Sequence, residues 1–152
     1  MGGSAEAKRA APFHALALAG SLLVLADLFL PWYGAALVSG DGTVLSTARA
    51  SGLQAPSAGW GFAMLGAASA LACLATAGLA HPGAGRRVPG HLALEAAAAW
   101  ALLGAALAKV AGHHHFLGVG SYLGLLLAGL LAGAGCLGAA WLRLPRPGGH
   151  PA

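Results

Sequence analysis

The segment Gly120–Leu142, GSYLGLLLAGLLAGAGCLGAAWL, decides the fold because it holds 23 residues and no charged side chain. The hydrocarbon core of a bilayer is roughly 30 Å thick, so a helix needs about 20 apolar residues to cross it. Apolar and polar residues do not alternate along the segment, as they would in a strand of a membrane β-barrel. The segment is therefore predicted to be a transmembrane helix.

Three further apolar runs of similar length precede it: Pro12–Trp32, Gly59–Ala80 and His91–Ala111. Over the whole chain 58% of residues are hydrophobic and 8% are charged, whereas about a quarter of residues are charged in soluble proteins. The sequence predicts an all-α integral membrane protein, a four-transmembrane-helix bundle that forms a single membrane domain over 1–152. Helices are expected at about 12–32, 59–80, 91–111 and 120–142, with an outer loop at 33–58 and flexible tails at 1–11 and 143–152.

The lysines and arginines predict the orientation of the chain, because cytoplasmic loops retain basic residues. Arg49 and Lys109 fall on one side of the predicted membrane. Six basic residues fall on the other side: Lys8, Arg9, Arg86, Arg87, Arg143 and Arg146. We therefore expect a multi-pass plasma-membrane protein with both termini in the cytoplasm. Trp32 and Tyr33 are then expected at the outer interface, where amphipathic rings settle.

The outer loop contains a candidate β-hairpin. Leu37–Val38 and Val44–Leu45 are short β-compatible runs on either side of a Gly-Asp-Gly turn centred on Asp41. A flexible Gly/Ser-rich loop is the alternative, because an isolated hairpin is marginally stable in water.

Charged residues inside the predicted spans are candidates for function, because each is costly at the centre of a membrane helix. They are Asp27, Glu95 and Lys109. At about 100° per residue, Glu95 and Lys109 share one face of helix three with His91, so this face should line the bundle interior. By depth, Lys109 can meet Asp27 near the outer end, and Glu95 lies level with His14 on helix one.

These residues allow two interpretations. Carboxylates and imidazoles at matching depths are typical of proton relays in pumps and transporters. The alternative, which we favour, is structural: Asp27 and Lys109 form an ion pair that joins two helices, and Glu95 snorkels to the interface or pairs with a cytoplasmic base. No ionisable group lies in the middle of the predicted bundle, so a continuous proton path is not indicated.

Histidines and cysteines do not indicate a metal site or a disulfide. Three consecutive histidines, His113, His114 and His115, cannot all point at one ion from a regular backbone, so no metal is expected. Cys73 and Cys136 are expected to act as small packing residues.

Small residues predict how the helices pack, because they let backbones approach closely in a membrane. Gly129 and Gly133 form one such pair on helix four. A longer row at every fourth residue of the same helix comprises Gly120, Gly124, Ala128, Ala132, Cys136 and Ala140. On helix two a small-residue face comprises Gly66, Ser69, Cys73 and Thr76. Helices two and four are therefore predicted to be in close contact.

Several short motifs resemble a known group. These are Leu30–Tyr33 (LPWY), Ser57–Phe62 (SAGWGF) and Gly120–Gly124 (GSYLG). They resemble small four-span membrane proteins of high-GC actinobacteria, a resemblance that implies the fold but no activity, substrate or catalytic residue.

The resulting functional prediction is a structural or accessory membrane protein that acts through helix packing. Its partners would be the lipid bilayer and other membrane proteins or copies of itself, with no nucleic acid. The chain leaves no length for a soluble catalytic domain, so we expect neither enzyme activity nor a cofactor. A small proton-coupled transporter or channel that uses Asp27, Glu95, Lys109 and the nearby histidines is the alternative.

Overall fold

The computed structural model describes residues 3–54, 58–80, 88–111 and 117–141. Within these ranges the chain forms four long helices and one two-stranded sheet. The helices are α1 (Gly3–Asp27), α2 (Ala58–Ala80), α3 (Val88–Ala111) and α4 (Val119–Trp141), and the strands are β1 (Pro31–Val38) and β2 (Val44–Ser51). Each helix contains a segment long and apolar enough to cross a membrane, beginning at Lys8 in α1 and at Gly90 in α3.

The four helices form a closed ring. Consecutive helices pack as neighbours, and α4 packs back against α1. This arrangement places α1 opposite α3 and α2 opposite α4 across the bundle. The predicted close contact between helices two and four is therefore wrong: short connections make consecutive helices adjacent, and closing the ring separates the second helix from the fourth.

The first helix begins and ends earlier than predicted. It starts at Gly3, because the Ala-rich residues before Pro12 favour a helix and continue it toward the N-terminus. It ends at Asp27, where Leu28, Phe29 and Leu30 close it with single backbone hydrogen bonds. Pro31 then begins β1. The other three helices lie within three residues of their predicted bounds wherever the chain is described.

The predicted hairpin is present and extends well beyond its turn. β1 and β2 pair antiparallel from Pro31↔Ser51 to Val38↔Val44. Gly42 adopts a positive φ of 87°, which favours glycine at the tip. At its base, the Trp32 carbonyl accepts a hydrogen bond from the Gly118 amide before α4. The hairpin is thus fixed to the bundle at one end.

The core lies between the four helices. Apolar side chains from every helix fill it, among them Val24, Met64, Leu71, Leu102 and Leu131. Trp32 and Tyr33 are buried as well, at 0% and 4% exposure. Both rings therefore pack inside the bundle rather than against lipid, because β1 turns inward over its end.

The predicted small-residue faces are only partly buried. On α4, Gly120, Gly124, Ala128 and Ala132 face the core, whereas Cys136 and Ala140 are exposed. A row at every fourth residue drifts by about 40° per step around a helix, so six positions cannot stay on one face. Gly129 and Gly133 face open space, because no atom lies within 4 Å of the position that a Cβ atom would take on either residue.

The predicted packing face of α2 points the other way. Gly66, Ser69, Cys73 and Thr76 are exposed. The buried face instead comprises Gly61, Met64, Ala68, Leu71 and Ala75. Larger side chains such as Met64 and Leu71 fill the space at the centre of the ring, and the small residues face outward.

Candidate functional site

Two clusters of buried polar side chains lie at opposite ends of the bundle. The hairpin-end site contains Asp27 and Lys109, beside the base of β1. The terminal-end site contains His14, Glu95 and His91, near the start of α1. Asp27, Lys109, His14 and Glu95 are each less than 5% exposed. The structure therefore places all five charged or imidazole candidates in these two clusters.

The centre of the terminal-end site is a contact between α1 and α3. His14 Nδ1 lies 2.7 Å from Glu95 Oε1, and both side chains are buried. A hydrogen bond of this length holds one proton between the imidazole and the carboxyl group. The predicted match in depth between His14 and Glu95 is confirmed as a direct contact.

His91 extends this site along α3. Its Nε2 atom lies 3.6 Å from Glu95 Oε1, one helical turn away. The same nitrogen lies 2.5 Å from the carbonyl oxygen of Leu74, so it donates a hydrogen bond to α2. The two imidazole rings meet edge to face with centroids 5.6 Å apart. Glu95 is therefore linked directly to α1 through His14 and indirectly to α2 through His91.

A glycine makes room for the His14 ring. A Cβ atom on Gly78 of α2 would lie 2.7 Å from His14 Nδ1 and Cε1. Real Cβ atoms do not approach ring atoms this closely, so a larger residue would displace the imidazole. Sequence reasoning missed Gly78, because one glycine in a glycine-rich helix carries no signal without its neighbour.

Asp27 is the central residue of the hairpin-end site. Its side chain is 2% exposed, and neither carboxyl oxygen has a hydrogen-bond partner in the described part of the chain. The nearby indole nitrogen of Trp32 donates to the main-chain carbonyl of Asp27 instead, at 3.1 Å. Trp32 thereby caps the carbonyl of the last residue of α1, and the carboxyl group gains no hydrogen bond of ordinary geometry.

Lys109 lies beside the rings of Trp32 and Tyr33. Its Nζ atom is 5.8 Å from the centroid of the Trp32 ring and 5.2 Å from that of Tyr33, within cation–π range. The Tyr33 hydroxyl donates to the Lys109 carbonyl oxygen at 2.9 Å. Asp27 and Lys109 do share one end of the bundle, as predicted. The predicted direct pairing is wrong, because no hydrogen bond reaches the carboxyl oxygens and the aromatic rings of β1 occupy this region.

Gly124 of α4 completes the hairpin-end site. A Cβ atom there would overlap Trp32 Cζ2 and would lie 2.6 Å from Asp27 Oδ2. The indole and the carboxyl group therefore both rest on the bare backbone of this turn. Gly124 was predicted as a packing residue, and in the structure it packs against Trp32 and Asp27.

Between the two sites the described residues place no ionisable side chain; apolar side chains fill this layer together with the buried Ser21, whose hydroxyl donates to the Leu18 carbonyl. His14 and Asp27 are thirteen residues apart on α1, which corresponds to about 20 Å along the axis. A cavity of about 20 Å³ lies beside Glu95, and Glu95 is the one charged residue that lines it. An internal water needs two to four polar partners. Because Glu95 is the one charged residue beside it, the cavity does not offer a water enough polar partners to connect the terminal-end site with Asp27.

Metal binding has no support within the described ranges, where no group of three or more His, Cys, Asp or Glu side chains is placed to hold an ion. His113, His114 and His115 lie outside the described residues. Cys73 and Cys136 are free and exposed, and Cys136 Sγ accepts a hydrogen bond from the indole of Trp100 at 3.2 Å. Neither cysteine lies in the core, and Cys136 contacts a neighbouring helix through Trp100 of α3.

Comparison with protein-family models, with curated proteins and with solved structures finds no match. The resemblance to small actinobacterial four-span proteins stays a prediction. The two sites and the exposed surfaces of the molecule are therefore the features that bear on its function.

Proposed function

We propose that the protein is a structural or accessory integral membrane protein that acts by contact with partner membrane proteins or with copies of itself. The observation that carries this proposal is the exposed hairpin. Every residue from Gly34 to Arg49 except Ser39 is exposed. The bundle serves in this view as the membrane anchor from which the hairpin projects.

The hairpin tip has the character of a contact surface. Four apolar side chains surround the turn, and Leu37 and Leu45 are each 62% exposed. Val38 and Val44 are more than half exposed beside them. An isolated two-stranded hairpin is marginally stable, and its unpaired strand edges attract further strands. A partner protein at the tip would stabilise the hairpin and would cover its unpaired strand edges.

The interior of the bundle supports a static rather than a transporting role. The layer between the two polar sites is filled by apolar side chains and by Ser21, whose hydroxyl bonds to the backbone of its own helix, and the contacts of His14, Glu95 and His91 are all internal. Neither site contains an arrangement of nucleophile and base, so we propose no enzyme activity and no cofactor. The outward face of α2, with Gly66 and Ser69, offers a second surface on which a helix of a partner can pack.

The location follows from the basic residues. We propose a plasma-membrane protein with both termini in the cytoplasm and the hairpin outside. A Thr47→Cys variant, made with Cys73→Ala and Cys136→Ala, tests this, because Thr47 is exposed on β2. A membrane-impermeant thiol reagent should label it in intact cells. Labelling only after the cells are broken would indicate the opposite orientation, with the hairpin in the cytoplasm.

The partner is tested by photo-cross-linking in native membranes with a photoreactive residue in place of Val44. We expect a discrete protein adduct. Leu37→Ser and Leu45→Ser together should abolish it without changing the thermal stability of the bundle, since both side chains point into open space. An adduct to lipid alone, or one insensitive to these substitutions, would contradict a protein contact at the tip.

A small proton-coupled transporter or channel is the second candidate. The unsatisfied carboxyl group of Asp27 and the shared proton of His14 and Glu95 favour it. Purified protein in liposomes should then dissipate a pH gradient, and Asp27→Asn and Glu95→Gln should each slow this flux. A rate equal to that of empty liposomes would remove this candidate.

A further inference from the structure

We propose that Asp27 is a proton-binding site in which the side chain is held as the neutral carboxylic acid. The ligand is a single proton, taken from water at the hairpin end of the bundle. This inference goes beyond the proposed function, because a buried acid can exist in a static accessory protein and in a transporter alike.

The first argument is that nearby hydrogen-bond donors are committed to other acceptors. The Trp32 indole donates to the main-chain carbonyl of Asp27, and the Tyr33 hydroxyl donates to the carbonyl of Lys109. Ser121, buried in the first turn of α4, donates to the carbonyl of Gly118 at 2.6 Å. None of these groups donates a hydrogen bond of ordinary geometry to the carboxyl oxygens of Asp27, although the Trp32 indole lies close enough to interact with them weakly.

The second argument is the surroundings of the carboxyl group on each element that packs against it. From α4 the backbone of Gly124 lies against Oδ2, and from β1 the Trp32 ring lies beside it. From α3 the charged neighbour is Lys109, whose Nζ atom lies over the Trp32 and Tyr33 rings. Tyr33 is the other titratable group of the site. Within the described residues, α2 and α4 place no titratable side chain against Asp27.

The third argument compares the two buried carboxyl groups. Glu95 has an imidazole at 2.7 Å, so its charge can be shared or compensated. Asp27 has no hydrogen-bond donor of ordinary geometry in the described chain, and an ionised carboxylate buried without such donors is strongly disfavoured relative to the neutral acid. Binding a proton removes the charge and requires no rearrangement of Trp32 or Gly124.

The test uses the wild-type protein, so it does not depend on a variant that folds. The chain contains two aspartates, Asp27 and Asp41. Isotope labelling of aspartate carboxyl carbons therefore gives two NMR signals, and Asp41→Asn assigns them. In lipid nanodiscs we expect the Asp27 signal at the position of a protonated acid at about pH 5, where exposed Asp41 is ionised. An Asp27 signal at the carboxylate position at that pH would overturn the proposal.

A second measurement uses a hydrophobic carbodiimide, which reacts with protonated carboxyl groups in apolar surroundings. Labelling should occur at Asp27 and should be lost in Asp27→Asn, whose amide matches the neutral acid in shape and charge. Glu95→Gln is the matched control and should retain the label. Equal labelling of wild type and Asp27→Asn would place the reactive acid elsewhere and overturn the proposal. Proton flux into liposomes is measured separately. If Asp27 binds a proton but no flux is observed, the transporter candidate is rejected and the proton-binding site is still supported.

Discussion

His14 and Glu95, 81 residues apart in sequence, lie 2.7 Å apart between the diagonal helices α1 and α3. These two helices make few other contacts, because α2 and α4 separate them. The pair therefore sets the position of α1 along the bundle axis relative to the diagonally opposite helix α3. A buried hydrogen bond is sensitive to the loss of either partner, because the remaining group is left unsatisfied.

We expect His14→Ala and Glu95→Ala each to lower the free energy of unfolding in detergent by about 1–3 kcal/mol. The double variant should lose less than the sum, because the second substitution removes a group already left without its partner. Equilibrium unfolding of the four proteins measures this coupling. Strictly additive losses would mean that the interaction between His14 and Glu95 does not contribute to the free energy of unfolding.

Gly78 provides a way to disturb the same pair without removing either group. In Gly78→Ala the new Cβ atom would lie 2.7 Å from the His14 ring, so we expect a loss of about 1–3 kcal/mol. Gly66→Ala on the same helix is the matched control, because no atom lies within 4 Å of its Cβ position. The control should be as stable as wild type. Equal changes in stability for the two variants would indicate that alanine alters the helix α2 itself and that contact with the His14 ring is not the cause.

The sequence predicted the fold well because length and apolarity decide it. Each helix is a long apolar run, and α3 shows a periodic stripe whose buried members include Ala99, Leu102 and Ala106. The stripe also indicated that Glu95 and Lys109 face inward, which the structure confirms. Depth along the helices placed His14 level with Glu95, but the favoured prediction paired Glu95 with a cytoplasmic base, and only the structure shows the contact with His14.

The contacts that sequence reasoning missed depend on tertiary geometry. Small residues mark where backbones can approach, but they do not specify the partner helix, and α4 packs on α1 and α3 rather than α2. The short link from Asp27 to Pro31 turns β1 inward, so the Trp32 ring enters the core instead of facing outward. No periodic pattern encodes that turn.

Gly124 should be the most sensitive of the glycines on α4. In Gly124→Ala the new methyl group would meet both Trp32 and Asp27 at less than 3 Å, so we expect the hairpin end to loosen and stability to fall by about 1–3 kcal/mol. Gly129→Ala, with open space around its Cβ position, is the control on the same helix. Trp32 is a fully buried tryptophan, so a red shift of its emission should accompany the first substitution and not the second. Unchanged emission and stability in Gly124→Ala would place Trp32 away from α4.

The last prediction concerns the hairpin turn and pH. Asp41 Oδ1 accepts hydrogen bonds from the Ser39 hydroxyl and from the Thr43 amide, and these bonds lower the pKa of Asp41 from 3.8 to about 2. Because the folded pKa is depressed, the stabilisation of the turn is complete above the unfolded value near 3.8 and is lost as pH falls through about 2. The Ser39 hydrogen bond is the largest cause, so Ser39→Ala should raise the pKa of Asp41 toward its ordinary value.

The labelled Asp41 carboxyl signal gives this pKa directly, and the Thr43 amide signal reports whether the turn stays closed. In wild type both should change together as the acid is titrated, and in Asp41→Ala the Thr43 amide should no longer depend on pH in this range. Leu37→Ser is the matched control, because its side chain is exposed and takes no part in the turn. A pKa of Asp41 that is the same in wild type and Ser39→Ala would mean that the Ser39 hydroxyl does not hold the carboxylate, and that the backbone around Gly42 alone sets the turn.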